Sequence, residues 1–338
     1  MVNDKFFKSI AEQLGIPIQS VKTVLDLFDA GSTLPFIARY RKDQTGGLDE
    51  VVIDGIKNLA KSMDEFDKRK IFILDTIKEQ GKLSDVLRLI IENCKDPHLL
   101  EDLYLPYKQR RKTKADIARE LGLEPLAKLI YNQRENNLRH VVARFINANV
   151  KSQNEALQGA RDIIAEWINE DVGLRNRLRD RFQKQGFIQC KVVKSKINEA
   201  QKYRDYFAFS EKIDKCPSHR IMAIFRGTEE AFLRLSIETD EDTTLEFLDK
   251  LVVKFRNESG EQVILALKDS YKRLLQPSLE TEFKNLLWEK AELESIKVFA
   301  ENLRQLLLSA PLGSKRVLAI DPGIKTGCKV VCLDENGM

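Results

Sequence analysis

Apolar residues recur at three- and four-residue spacing along most of the chain, the signature of amphipathic helices. Ile10, Ala11 and Leu14 give one stripe, Gly15 and Pro17 interrupt it, and Val21, Val24, Leu25 and Phe28 give another. Residues 5–30 therefore read as two helices about a tight turn. Residues 32–49 read as a compact, glycine-marked connection. Ile71, Leu74 and Ile77 are expected on one buried face, with Gly81 as the C′ residue. Ser84 is the expected N-cap of a helix burying Leu87, Ile90 and Ile91, which Asp96-Pro97 ends. Residues 101–107 read as an aromatic elbow, with a helix from near Lys114 and strong helix over 155–185.

Beyond 185 the pattern is mixed. Residues 186–195 suit an extended piece or a fresh helix, 217–228 a helix ending at Gly227, 232–237 a short alternating strand, and 238–242 an acidic loop. Pro277-Ser278 is expected to open the longest helix, with Ser278 as N-cap. Phe283, Leu287, Leu293, Ile296, Phe299, Leu303 and Leu307 then form a stripe expected to span a core. After Ala310-Pro311-Leu312-Gly313 the period changes. Residues 316–321 read as a buried strand, Pro322-Gly323 as a turn and 327–333 as its partner. The reading is a mostly α chain with helical regions at 1–195 and 196–310 and a hairpin at 314–338. A lone hairpin is marginal in water, so the chain reads as part of a longer protein.

Charge adds a local signal rather than a global one. The 338 residues carry 56 basic and 52 acidic groups, a net +4 too small to imply a partner. The five cysteines form no C-x-x-C pair and suit free thiols in a reducing compartment. No apolar run reaches membrane-spanning length, and Met1-Val2-Asn3-Asp4-Lys5 lacks a signal peptide's apolar stretch, so the expectation is cytoplasm and no membrane.

The candidate chemistry is phosphate binding. In residues 108–114, Lys108, Arg110, Arg111, Lys112 and Lys114 are basic, just behind Tyr104 and Tyr107. Cations neutralise phosphates and release counterions, arginine adds bidentate contacts, and aromatics stack on single-strand bases. The alternative is a solvated helix entry with packed tyrosines. Arg39, Arg41 and Lys42 around Tyr40 form a second cluster, open between phosphate and pairing with Asp43, Asp49 and Glu50. A pattern recurs at 10–16 and 117–123, like the opening of a helix-turn-helix. The helix after the first copy has only Lys22 against Asp26 and Asp29, so a packing αα-hairpin is the better reading. Asp321 ends an apolar strand, where carboxylates can hold Mg²⁺, but a turn-forming role is preferred. Neither phosphate-loop, dinucleotide nor nucleophile-elbow patterns occur, and no catalytic residue, metal or cofactor is expected.

Several ordered strings carry a resemblance. LPFIARYRKDQTGGLDE at 34–50, EDLYLPYKQRRKTKADIAREL at 101–121, EALQGARDIIAEWI at 155–168 and PSHRIMAIFRG at 217–227 resemble the Tex family of bacterial transcription accessory factors. YKRLLQPSLE at 271–280 and VFAENLRQLLLSAP at 298–311 follow in family order, and VLAIDPGIKTGCK at 317–329 resembles the opening of its YqgF-type, RNase H-like domain. Ala208 and Lys212 depart from the pattern, where Asp and Pro are expected. The resemblance implies a nucleic-acid-binding transcription factor, related to a eukaryotic elongation factor and working with RNA polymerase or its elongation complex. It also implies further helix-hairpin-helix and OB-fold RNA-binding regions, and an RNase H-like domain usually inactive. Asp321 matches a first catalytic Asp of related resolvases, leaving a metal-dependent nuclease as one alternative and a protein-docking module as another.

Overall fold

A computed structural model describes residues 4–109, 111–323 and 327–338. The expected mostly α architecture is observed, and the chain forms two compact units, residues 1–175 with 257–262 and residues 176–256 with 263–338.

In the first unit, α1 (Asp4–Leu14) and α2 (Ile18–Asp29) form the expected hairpin, with Gly15 in the left-handed region at φ +65°. The connection after them is helical, not loop: α3 (Leu34–Tyr40) and α4 (Lys42–Thr45) precede a Gly46-Gly47 turn. Asp49 caps α5 (Glu50–Glu79) by accepting from the Val52 N–H at 2.8 Å. At 30 residues α5 is about 45 Å long, and its two halves serve two cores. Ile53 and Ile56 close a core with Ile10, Val21, Val24 and Ile37, while Ile73 and Ile77 close another with Ile91, Leu100 and Tyr104.

The second core takes α6 (Asp85–Asn93) and α7 (Pro97–Tyr104). Ser84 caps α6 as expected, accepting from the Leu87 N–H, and Asp96 caps α7, accepting from the His98 N–H. Ile77 and Ile91 are buried as expected, but Ile71 is 59% and Ile90 46% exposed, and Ile73 is buried instead of Ile71. Next, α8 (Lys114–Glu120) and α9 (Glu124–Tyr131) repeat the α1–α2 hairpin, with Gly122 at φ +78°. After α10 (Leu138–Val142), α11 (Gln153–Glu170) packs on α8 and α9. Gly159 permits that approach, since a Cβ there would lie 2.4 Å from the buried Leu123 side chain.

The helix α12 (Val172–Gln185) leads into the second unit and β1 (Phe187–Val192), resolving 186–195 as a strand. It is the centre of an antiparallel sheet ordered β2–β1–β3, with β2 (Ala208–Lys212). The expected boundary at 195 falls between β1 and β2 of this one sheet. Helix α13 (Ser218–Glu229) runs past Gly227 and packs on β3 (Leu233–Glu238), which buries Leu233, Leu235 and Ile237. The acidic segment after β3 supplies Asp240, the N-cap of α14 (Glu241–Val252), accepting from the Thr243 N–H.

Pro277 does not start a helix. Helix α15 (Glu258–Ser270) runs through a π turn at Tyr271–Leu275 into α16 (Gln276–Leu307), and Ser278 lies inside α16 rather than capping it. Proline lacks an N–H and its ring crowds the preceding turn, and the wider π turn lies directly before it. The stripe of α16 is only half used. Leu279, Phe283, Leu287 and Ala291 are buried, whereas Leu293 and Phe299 are 70% and 67% exposed, so the distal half spans no core here.

Strands β4 (Val317–Gly323) and β5 (Gly327–Leu333) pair as expected, but their side chains are largely exposed. Pro322 and Gly323 lie within β4, opposite Cys328 and Gly327, instead of forming the turn.

Burial raises the Cys190 thiol to about 11 and the Cys216 thiol to about 12, because a thiolate is poorly solvated there. Cys328 and Cys332 are exposed. Iodoacetamide at pH 8 should thus alkylate the hairpin pair first and reach Cys190 and Cys216 only on unfolding, read by peptide mass spectrometry. Equal labelling rates at Cys190 and Cys328 in the folded chain would contradict that burial.

Candidate nucleic-acid interface

The basic segment forms the loop between a 3-10 turn at Leu105–Tyr107 and α8. Its two ends are pinned. At entry, the Gln80 side-chain amide donates to the Tyr107 carbonyl at 2.8 Å. At exit, Thr113 and Asp116 form a reciprocal capping box: Thr113 Oγ1 accepts from the Asp116 N–H, and the Asp116 carboxylate accepts from the Thr113 N–H at 2.9 Å. Glu166 on α11, 4% exposed, holds the same corner from below. The Thr113 hydroxyl donates to it at 3.2 Å, and Arg119 bridges Asp116 at 2.9 Å and Glu166 at 3.4 Å.

Between those anchors Lys108, Arg111, Lys112 and Lys114 are exposed; Arg110 lies outside the described residues. Lys112 meets Glu120 at 2.6 Å, with both side chains more than half exposed. Such a surface pair contributes about 0.2–1 kcal/mol, so it yields readily to a phosphate. Lys108, Arg111 and Lys114 form no ion pair among the described residues. A cleft of about 660 Å³ opens beside the loop, lined by Lys82, Tyr107, Lys108, Arg119, Glu166 and Glu170 among others. Its carboxylates disfavour a phosphate inside, and the cations of the loop lie on its exposed outer rim.

The tyrosines behind the run are less available than expected. Tyr104 is 4% exposed in the second core, edge-on to Phe72 at 6.4 Å, and so cannot stack on a base. Tyr107 is half-buried against the same core.

The second cluster lies on α3 and the start of α4. Arg39 pairs with Glu50 at 3.8 Å, both exposed. The Arg41 guanidinium sits 4.9 Å from the Phe36 ring centroid and donates to the Tyr40 carbonyl at 3.2 Å. Lys42 is exposed and forms no ion pair among the described residues. Sequence periodicity gave no reason to single out Phe36, nor Gln80 and Glu166, whose partners lie 27 and 53 residues away.

The helix-turn-helix-like pairs pack as hairpins. In α2, Val21 and Val24 are buried and Lys22 is tied to Asp4 at 2.7 Å. Asp321 is exposed, 3.8 Å from Lys329. No group of three or more His, Cys, Asp or Glu residues suited to a metal occurs among the described residues. No helix there is long and apolar enough to cross a membrane.

Residues 4–78 match the family described as Tex-like protein N-terminal domain, and residues 133–299 match that described as Tex central region-like. The uncharacterized protein YdcI of Bacillus subtilis is 39% identical over 335 residues, covering 98% of this chain and 47% of its own. The transcriptional accessory protein Tex of Neisseria gonorrhoeae is 36% identical over 334 residues, 97% of this chain and 44% of its own. The human S1 RNA-binding domain-containing protein 1 is 32% identical over 342 residues, 96% of this chain and 34% of its own. The chain thus spans about half the length of the bacterial relatives it matches.

Proposed function

The chain belongs to the Tex family, and we propose that it is the non-enzymatic, nucleic-acid-holding part of a transcription accessory factor, gripping RNA or DNA by its phosphates. The observation that carries this reading is the loop 108–114, with exposed cations between two pinned ends. Fixing the ends lowers the entropy lost when the loop meets a polyanion, so the anchors favour binding. The names of the relatives point the same way: one is a transcriptional accessory protein, another carries an S1 RNA-binding domain.

Fluorescence anisotropy of the 338-residue chain with single-stranded RNA, single-stranded DNA and duplex DNA, across a salt series, tests the reading. Phosphate gripping gives log affinity falling linearly with log salt, with a slope of roughly −0.7 per contacted phosphate on a single strand. No binding at low salt, or binding insensitive to salt, would remove the loop as the interface.

A further inference from the structure

The helix α3 turns Ile37 and Ala38 into the first core, at 0% and 3% exposure, and leaves Phe36 and Tyr40 outside at 38% and 66%. Four residues apart, these rings share one side of the helix, with centroids 5.4 Å apart and planes at 41°. The first core is closed by other residues, so stability does not account for so exposed a tyrosine. Arg41 is stacked on Phe36, and Arg39 and Lys42, both exposed, are its near neighbours in the chain.

Rings flanked by cations match one chemistry in particular. A base offers a flat π face for an exposed aromatic, and the phosphates on either side meet the cations. An apolar protein partner would use the rings but would leave the Arg41 and Lys42 charges unanswered, with Arg39 held only by its exposed Glu50 partner. In a duplex both faces of each base are already stacked, so only a strand with free bases can use the platform.

We propose that Phe36 and Tyr40 form a base-stacking platform that makes this chain prefer single-stranded over duplex nucleic acid, with Arg39, Arg41 and Lys42 on the adjoining phosphates. This rests on the nucleic-acid reading above and adds a second contact, of different chemistry, on the helix α3. Arg39 exchanges its exposed Glu50 partner for phosphate, and Arg41 stays on Phe36 as it reaches the strand.

The test uses the whole chain, an oligonucleotide carrying 2-aminopurine and its matching duplex. Stacking on Tyr40 quenches the probe. Tyr40→Ala should weaken the single strand about tenfold, leave the duplex unchanged and abolish the quench, while Tyr40→Phe keeps both affinity and quench. Phe36→Ala should give a smaller loss in the same direction. The variant with Arg110, Arg111, Lys112 and Lys114 all changed to Ala should instead lose affinity for both forms and keep the quench at saturation. If Tyr40→Ala binds both forms as the parent does while the loop variant weakens, the platform is wrong and the phosphate-gripping reading stands. If Tyr40→Ala weakens single strand and duplex equally, single-strand selection is wrong. If the parent chain binds neither, both readings fall together.

Discussion

Asp102→Ala should lower the stability of the first unit by about 3–5 kcal/mol. Asp102 accepts from Arg175 Nε at 2.7 Å, and the two side chains are 4% and 5% exposed. Arg175 also donates to Asn169 at 3.3 Å. Removing the carboxylate takes from the buried guanidinium the counter-charge that Asp102 supplies, and breaking one side of a buried pair is among the costliest common defects. Asp102→Asn keeps an acceptor but removes the charge, and should fall between Ala and the parent. Changing both partners, Asp102→Ala with Arg175→Met, should recover much of the loss, because the desolvated charge is gone. Urea titration followed by Trp167 fluorescence in a Trp288→Phe background reads the unit directly, since the two tryptophans lie in different units. A loss below about 1 kcal/mol, the range of exposed pairs, would mean that water reaches the site.

This ion pair shows where sequence reading stops. Asp102 and Arg175 are 73 residues apart, and each alone reads as a charge on a helix surface. Local rules served where the cause is local. Gly15, Gly81 and Gly122 each take the left-handed turn, and Ser84 caps the helix it precedes. They misled where packing decides. Ile71 and Ile73 are both apolar and near each other, and only the position of α6 and α7 selects Ile73 for the core. At Pro277 the local rule for a helix start lost to tertiary packing, because Tyr271 and Leu275 are fully buried and hold the rod together through the π turn. Tyr271 adds a hydrogen bond with Thr239 at 3.2 Å, which no helix-start rule anticipates. The candidate site divides the same way. The basic run is plain in the sequence, but its anchors at Gln80 and Glu166, and the burial of Tyr104 away from it, follow from the fold.

Changing Arg110, Arg111, Lys112 and Lys114 together to Ala should reduce nucleic-acid affinity on the order of a hundredfold at low salt and flatten the salt slope by about 3. The two effects have one origin. Each cation that leaves a phosphate lets a condensed counterion stay, so affinity and its salt dependence fall together, and they fall alike for every base sequence. The loss is not a folding defect, because the described members of the set are exposed and the capping residues Thr113 and Asp116 are untouched. Exposed substitutions of this kind usually change stability by less than about 0.5 kcal/mol. Total charge is controlled by a second variant that removes Lys57, Lys61, Lys68 and Lys78 from α5, where Lys61 and Lys68 already face Glu65 and Asp64. The same four charges are lost there, so a general attraction between the chain and a polyanion predicts equal weakening. A loop that grips phosphate predicts a steep loss for the first variant and little for the second. Equal slopes for the loop variant and the parent would assign the binding to other residues.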